Sequence, residues 1–281
     1  MASYAGQYTI CAMNTQETLY TVADRVATIT LNRPDKLNAW TRNMEREVRR
    51  AMDQAAADEN VRVIVITGSG RGFCAGADMS LLQEVADKGL HPLPDAANSS
   101  AAVDDFQRQY SYFPSVPKPI LAAVNGPCVG LGLVIAMFCD LRIASEEAKF
   151  STAFARRGLI AEYGLAWLLP RITGHANAMD ILLSARIFGA QEALGMGLVN
   201  QVLPAAEFAG VVAAYARELA NNVSPRSMAV IKRQVYAGMT QTLGQALDLA
   251  TAEMRASLQS EDFKEGVAHF VEKRAAMFTG R

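Results

Sequence analysis

The sequence predicts an α/β fold with a helical C-terminal segment, and three observations support this prediction. Residues 61–67 and 119–124 are short apolar runs, and each is followed by a glycine-rich segment and a helical pattern. That order is typical of strand, loop and helix in a parallel sheet. Nearly all of the chain from Ala176 onward has helical periodicity, with predicted helical runs at 178–184, 190–196, 206–221, 225–238, 241–259 and 262–277. With 281 residues, of which 51% are hydrophobic, the chain is long enough to bury one large core.

Composition and charge argue against several classes of function. The 27 basic and 28 acidic residues give a net charge of -1, so neither nucleic acid nor a membrane is an expected partner. The four cysteines form no C-x-x-C pair and the three histidines are far apart, so no disulfide framework and no metal site are expected. The first 20 residues lack a signal-peptide pattern, and the longest apolar run, 131–139, is too short to cross a bilayer. We therefore expect a soluble, cytoplasmic protein.

The N-terminal part begins with residues 1–16, which show no period and are expected to form a loose arm. Residues 19–22 and 26–31 flank a short polar turn, and the second run alternates, which predicts a β-hairpin. Beyond a proline-containing loop, Thr41 can cap a helix whose apolar side chains recur at helical spacing up to Ala55.

The first glycine-rich loop, residues 71–78, follows the predicted strand 61–67. Its glycines let a ligand approach the main chain, whose N–H groups point beyond the carboxyl end of the strand. The pattern indicates either a cradle for an anion or oxyanion, or an ordinary glycine-rich turn between strand and helix. Asp78 can cap the helix that begins at Met79.

The second glycine-rich loop, residues 125–132, follows the predicted strand 119–124 and leads into an apolar helix. Loops that follow neighbouring parallel strands lie at one edge of the sheet, so both loops can reach one ligand atom. Between the loops lies the insertion 80–116, which is interrupted by glycine and prolines and has a helical run at 103–112. The insertion is expected to be either a wall of the pocket or a surface excursion.

Glu162 is a single carboxylate among apolar and small residues, just before the helical run 165–169. Such surroundings raise the pKa of a carboxyl group and make it a candidate acid or base. A glutamate at the start of a helix can instead interact with the free N–H groups of the first turn. The residues alone favour this second role.

A series of motifs, in order from about residue 18 to the C terminus, resembles the crotonase (enoyl-CoA hydratase/isomerase) superfamily. The motifs are Asn32-Arg33-Pro34 with Leu37-Asn38-Ala39, Gly72-Phe73-Cys74-Ala75-Gly76-Ala77-Asp78, Ala123-Val124-Asn125-Gly126, Cys139-Asp140, Ala190-Gln191-Glu192-Ala193 with Gly197-Leu198-Val199, and Glu261-Asp262-Phe263-Lys264-Glu265-Gly266. The resemblance implies an α/β, crotonase-like spiral of ββα units over residues 17–204 and a helical C-terminal trimerisation region over 205–281. It also implies homotrimers, which can pair into hexamers.

The ligand that the resemblance implies is an acyl-CoA thioester, with coenzyme A as part of the substrate and no further cofactor. Matching the motifs assigns the two N–H groups that hold the thioester carbonyl to Ala77 and Leu131, the latter at a position where many relatives have glycine. One such donor is typically worth roughly 10²–10³ in rate, because it stabilises the developing enolate oxygen. The further contacts to CoA and substrate are assigned to Arg25, Lys36, Ala39, Phe73, Ala75, Gly76, Asp78, Gly130, Val134 and Phe154, and to Lys273 of a neighbouring subunit.

Departures from the family pattern bear on the reaction. Hydratases of the family carry two catalytic glutamates, and the matching positions here are Val134 and Phe154, which cannot transfer a proton. Glu162 falls eight residues after Phe154, where certain double-bond isomerases of the family have an acidic residue. One carboxylate can remove a proton at one carbon and return it at another, so the pattern favours isomerisation of an enoyl-CoA, with Tyr163 and Glu84 as weaker candidate helpers.

Three alternatives stay open. An enoyl-CoA hydratase could use Glu162 and a water molecule in an altered geometry. Because both usual glutamates are missing, the protein could also bind acyl-CoA without catalysing a reaction. A dinucleotide-binding dehydrogenase is disfavoured, because Gly126, Gly130 and Gly132 do not have the G-x-G-x-x-G spacing.

Overall fold

The computed structural model describes residues 17–88 and 105–281, so the predicted arm at 1–16 and the middle of the insertion, 89–104, lie outside the described residues. The strands are β1 Thr18–Ala23, β2 Val26–Leu31, β3 Val63–Gly68, β4 Ile120–Val124, β5 Cys128–Val129, β6 Leu141–Ser145, β7 Lys149–Ser151, β8 Phe188–Gly189 and β9 Gln201–Leu203. The helices are α1 Arg42–Ala57, α2 Met79–Lys88, α3 Leu131–Phe138, α4 Leu165–Thr173, α5 His175–Ser184, α6 Ala190–Gly195, α7 Ala205–Asn222, α8 Pro225–Gly238, α9 Leu243–Leu258 and α10 Glu261–Glu272.

The main sheet has six strands in the order β1-β2-β3-β4-β6-β9. β1 and β2 form the predicted antiparallel hairpin, with Thr18 opposite Leu31, and the other neighbours are parallel. α1 begins as predicted, since Thr41 Oγ1 accepts a hydrogen bond from Met44 N at 3.0 Å. β3 and β4 are adjacent, so the two glycine-rich loops that follow them start at the same edge of the sheet.

A second, three-stranded sheet is formed by β5, β7 and β8. None of these strands was predicted, because runs of two or three residues carry no readable periodicity. β8 and β9 lie between the helical runs predicted for the part of the chain from Ala176 onward. β5 lies inside the second glycine-rich loop, where it pairs with β7.

The core lies on both faces of the main sheet. In β3 the side chains of Ile64 and Ile66 belong to the cluster that also contains α1 and α3, whereas Val63 and Val65 face α7. This alternation follows from the two-residue period of a strand. α7 covers its face of the sheet with apolar side chains at spacing of four, namely Phe208, Val212, Ala216 and Ala220.

Two helix predictions need correction. The predicted helix at 262–277 ends at Glu272, because Lys273 has a left-handed backbone with φ of 54°. The predicted helical run at 103–112 is absent from its described part, where a short 3-10 turn at Asp105–Gln107 is followed by turns. Among the described helices, none is both long and apolar enough to cross a membrane.

Candidate active site

The two glycine-rich loops are in direct main-chain contact. Val129 N donates to Cys74 O at 2.9 Å, so β5 runs beside the first loop. Gly76 has φ of 99°, and a Cβ at this residue would lie 3.0 Å from Val129 O and 3.8 Å from Leu131 N. A side chain at Gly132 would be still closer to the first loop, with its Cβ 2.3 Å from Cys74 O. The glycines therefore allow the loop that carries Ala77 to lie against the start of α3.

Two asparagines hold the first loop. Asn38 Nδ2 donates to the carbonyl oxygens of Ser69 at 3.0 Å and Gly72 at 2.8 Å. Asn125 Nδ2 donates to the carbonyl oxygens of Gly68 at 2.9 Å and Gly72 at 3.2 Å, and its Oδ1 accepts from Gly68 N at 3.2 Å. Both asparagines belong to the family motifs, but sequence reasoning assigned them no role. They satisfy the main-chain groups that a tight loop leaves without partners.

The N–H group of Ala77 points away from Trp40, the residue that pairs with Ala77. Trp40 N donates to Gly76 O at 2.7 Å, and Asp78 N donates to Trp40 O at 2.9 Å. Because main-chain groups of an extended segment alternate in direction, the intervening Ala77 N–H points to the side opposite Trp40. Within residues 17–88 and 105–281 it has no hydrogen-bond acceptor.

Leu131 offers a second main-chain donor, because it is the first residue of α3 and its N–H has no partner within the helix. The preceding residue, Gly130, has no side chain that could cap the helix. In the described part of the chain, no acceptor is bonded to Leu131 N. Two free N–H groups from adjacent loops, one of them at the positive end of a helix, can stabilise an oxygen that gains negative charge.

The ion pair between Arg33 and Asp78 braces the end of the first loop. Arg33 Nη1 donates to Asp78 Oδ2 at 2.8 Å and to Ala39 O at 2.6 Å. Asp78 Oδ1 accepts from Ser80 N at 3.0 Å, as expected of a residue that caps α2. Hydrogen bonds from the Ser80 hydroxyl and Arg33 lower the pKa of Asp78 to about 2, so its carboxylate is occupied by protein contacts. Sequence reasoning gave Arg33 no role.

Glu162 lies in the turn before α4. Its side chain is partly buried, and this burial raises the pKa of its carboxyl group. Gly164 is the N-cap residue of α4, and the Glu162 carboxyl forms no hydrogen bond or ion pair with any residue that the structure describes. The capping role is thus not observed, and the carboxyl group is left available for proton transfer.

The two positions that match the usual glutamates are apolar and buried. Val134 is fully buried and Phe154 is 7% exposed, and both belong to the same hydrophobic cluster as Leu131. Val134 follows Leu131 by one turn of α3. Neither side chain can donate or accept a proton, so Glu162 is the carboxyl group of this set that can do acid or base chemistry.

A cavity of about 410 Å³ adjoins the Glu162 turn. Its lining comprises Asp105, Phe106, Arg108, Gln109, Ser111, Phe138, Tyr163, Gly164, Trp167 and Thr240. Leu131, Val134 and Phe138 share one face of α3, so that face leads from the free Leu131 N–H to the cavity over roughly 10 Å. The described end of the insertion, residues 105–111, forms one wall, as the pocket-wall interpretation expects.

Of the remaining residues predicted to contact CoA or the substrate, some lie close to the two glycine-rich loops and others do not. Lys36 is exposed close to the first loop, since the next residue, Leu37, accepts a hydrogen bond from Ala75 N at 2.9 Å. Phe73 is fully buried and can meet a ligand only through its main chain. Arg25 lies in the hairpin turn before β2. This turn is at the amino end of the parallel strands, whereas the two loops follow their carboxyl ends, so within one chain Arg25 does not join the site.

The other predicted positions bear on partners and metals. Lys273 is exposed at the C-terminal end of α10. Among the residues that the structure describes, no group of three or more histidine, cysteine, aspartate or glutamate side chains is arranged to hold a metal ion.

An α/β fold with two free main-chain donors on adjoining loops and a partly buried carboxyl group is typical of enzymes that stabilise an oxyanion while moving a proton. Comparison with known proteins identifies the family. The model of the enoyl-CoA hydratase/isomerase family matches residues 21–281, and the chain belongs to this family of acyl-CoA enzymes. The predicted family and α/β fold are confirmed.

Relatives and solved structures agree over nearly the whole chain. The 1,2-epoxyphenylacetyl-CoA isomerase of Escherichia coli (strain K12) is 35% identical over 257 residues, 91% of this chain and 95% of that protein. A probable enoyl-CoA hydratase of Rhodobacter capsulatus is 38% identical over 263 residues, 93% of this chain and 97% of that protein. The crystal structure of a probable enoyl-CoA hydratase/isomerase from Mycobacterium abscessus superposes with a TM-score of 0.84 at 31% identity, covering 94% of this chain and 99% of that chain.

Proposed function

We propose that this enzyme shifts a carbon–carbon double bond in an enoyl-CoA, with Glu162 as both base and acid. The observation that carries the proposal is the distribution of carboxyl groups. Val134 and Phe154 are buried and apolar, whereas Glu162 is partly buried, has a raised pKa and has no partner among the described residues. A single acid that serves in turn as base and acid is sufficient for isomerisation.

The proposed reaction needs two proton transfers and no added water. The thioester oxygen accepts hydrogen bonds from Ala77 N and Leu131 N, which lowers the energy of the enolate. The Glu162 carboxylate removes a proton from the α-carbon of a 3-enoyl-CoA, and the electron pair is delocalised to the thioester oxygen. The same carboxyl group then returns the proton to the γ-carbon, which leaves the double bond between the α- and β-carbons. The reverse reaction follows the same steps, and coenzyme A takes part only as a portion of the substrate.

The acyl group is proposed to extend along α3 toward the cavity beside Phe138. Support comes from the shared helix face of Leu131, Val134 and Phe138 and from the apolar side chains of Phe106 and Trp167 in the cavity wall. A lining of apolar and aromatic side chains with a few polar groups is typical of small-molecule pockets. A panel of substrates should therefore include both short and long acyl groups, and groups with an aromatic ring.

The relatives support two different outcomes. The E. coli relative is named as an isomerase of a CoA ester, which favours isomerisation. The R. capsulatus relative is named as a probable hydratase, so hydration with Glu162 and a water molecule is the second candidate. A chain that binds acyl-CoA without catalysis is the third.

Replacement of Glu162 by glutamine is expected to lower the rate of double-bond migration by roughly 10²–10⁴, because the amide cannot accept the proton. The measurement is NMR in D₂O of 2-enoyl- and 3-enoyl-CoA esters. It follows both the position of the double bond and the exchange of protons at the α- and γ-carbons.

Glu59→Gln is the matched control, since Glu59 is exposed and precedes β3, at the end of the sheet opposite the two glycine-rich loops. It should exchange and isomerise like the unmodified enzyme. Accumulation of 3-hydroxyacyl-CoA would contradict isomerisation in favour of hydration. Binding of all esters without exchange or product would favour the non-catalytic alternative.

We also propose that the chain assembles as a homotrimer, or as a hexamer of paired trimers. Support comes from large apolar side chains that are exposed on α9 and α10, including Leu243, Leu247, Val271 and Phe270, the last 79% exposed.

Phe270→Asp should shift the mass measured by light scattering toward the monomer, because it places a charge in the apolar surface. Lys264→Asp adds an acidic group to an exposed position of the same helix and should leave the mass unchanged. A monomeric mass for the unmodified chain would contradict the proposed trimer or hexamer.

A further inference from the structure

Three aromatic rings form a continuous row beside the candidate site. Tyr110, from the described end of the insertion, is the middle member. Its ring centroid lies 6.1 Å from that of Trp40, with the planes at 73°, and 4.8 Å from that of Tyr163, with the planes at 88°. Both contacts are edge-to-face, an arrangement that the charge distribution of aromatic rings favours.

The ends of the row are attached to the two halves of the candidate site. Trp40 is hydrogen-bonded through its main chain to Gly76 and Asp78, on either side of Ala77. At the other end, Tyr163 follows Glu162 directly in the chain. The row thus spans the gap between the donor of the first loop and the carboxyl group proposed as acid and base.

Tyr110 is itself fixed in place by α1. Its hydroxyl group donates to Glu45 Oε2 at 3.0 Å, and Gln109 Nε2 donates to Glu45 Oε1 at 2.7 Å. Tyr110 and Tyr163 both have left-handed backbones, with φ of 60° and 52°. A non-glycine residue keeps such a conformation only where its surroundings hold it there, and such residues cluster at functional sites.

We propose that Tyr110 is a positioning residue for Glu162. Its ring holds the ring of Tyr163, and so keeps the Glu162 carboxyl group in register with the Ala77 N–H. This inference rests on the proposed function for the role of Glu162. A misplacement of about 1 Å in a reacting group can cost roughly 10² in rate, so a rigid link between base and oxyanion donors matters for turnover. The insertion thereby contributes to catalysis without contacting the reacting atoms.

Tyr112→Leu is a matched control for Tyr110→Leu. Tyr112 is 7% exposed and Tyr110 3% exposed, but the ring of Tyr112 contacts Phe113 at 4.8 Å and the Arg49 guanidinium at 4.0 Å. For Tyr110→Leu we expect kcat of isomerisation to fall roughly 10–10²-fold with little change in KM. Tyr112→Leu should lower thermal stability without this loss of kcat.

Two milder variants guard against a failure to fold. Tyr110→Phe removes only the hydroxyl group and keeps the ring that contacts Tyr163. Because the proposal assigns the positioning role to the ring, this variant should retain most of kcat. Glu45→Gln weakens the hydrogen bond that fixes the tyrosine, and it should lower kcat less than Tyr110→Leu does.

Amide hydrogen exchange of the free protein, measured by mass spectrometry, gives a readout that does not depend on turnover. Peptides that cover residues 160–165 should exchange faster in Tyr110→Leu than in the unmodified protein, and at the unmodified rate in Tyr112→Leu. Equal exchange and equal kcat in the two leucine variants would overturn the inference. An unmodified enzyme without turnover would refute the proposed function, and the exchange data would then decide alone whether Tyr110 holds the Glu162 turn.

Discussion

Leu131→Pro is expected to lower kcat for the proposed isomerisation by roughly 10²–10³ relative to Leu131→Ala. Leu131 is the first residue of α3, a position where a helix tolerates proline because the N–H has no partner within the helix. The substitution therefore deletes the N–H that is proposed to bind the thioester oxygen and leaves the helix hydrogen bonds in place. Steady-state kinetics with one acyl-CoA substrate give the ratio.

The alanine variant makes this comparison specific. Both substitutions remove the buried leucine side chain, but alanine keeps the main-chain donor. Circular dichroism and thermal unfolding report whether the two variants fold equally well. Equal kcat in the two variants would show that the Leu131 N–H takes no part in the reaction.

Lys232→Met is expected to lower the free energy of unfolding by about 3–5 kcal/mol. Lys232 Nζ lies 2.8 Å from Asp140 Oδ2 and donates to the carbonyl oxygens of Phe113 and Lys118, both at 3.0 Å. Burial lowers the pKa of Lys232, and the neighbouring Asp140 counteracts this effect. Methionine fills a similar volume but leaves the largely buried carboxylate without its cation.

An exposed ion pair provides the control for this stability prediction. Lys264 Nζ lies 2.8 Å from Glu261 Oε1, and the two side chains are 64% and 65% exposed, so Lys264→Met should cost less than about 1 kcal/mol. Urea unfolding at one protein concentration, followed by tryptophan fluorescence, gives both values. A loss of similar size in the two variants would mean that the buried pair adds nothing beyond an exposed one.

The buried pair also supports the site at a distance. Asp140 Oδ2 accepts a hydrogen bond from Ile120 N at 2.7 Å, at the start of β4, and Asp140 Oδ1 accepts from Tyr236 on α8 at 3.0 Å. The pair thus ties α8 to the strand whose carboxyl end carries the second glycine-rich loop.

Much of the main sheet and both loops could be predicted from the sequence, because their signals are local. Alternation over 26–31 indicates a strand, Thr41 precedes an apolar helical face, and the helix predicted at 225–238 has the bounds of α8. The convergence of the loops followed from one topological rule for parallel sheets.

Contacts between distant segments could not be predicted. The hydrogen bonds of Asn125 to the first loop and the ion pair of Arg33 with Asp78 join residues that lie tens of positions apart. The row through Tyr110 depends on the path of the insertion, whose pattern predicted a helix where turns are found. For Glu162, the residues alone favoured helix capping, and only the geometry of Gly164 removes that role.

Catalytic groups that belong to the main chain respond to mutation differently from those that belong to side chains. The N–H groups of Ala77 and Leu131, which are proposed to hold the thioester oxygen, survive every replacement except proline. An acid such as Glu162, by contrast, can be gained or lost through a single nucleotide change. Proteins with this fold can therefore keep the main-chain donors for a thioester oxygen while the positions of their acidic residues change. New reactions can arise in this way without loss of the oxyanion site.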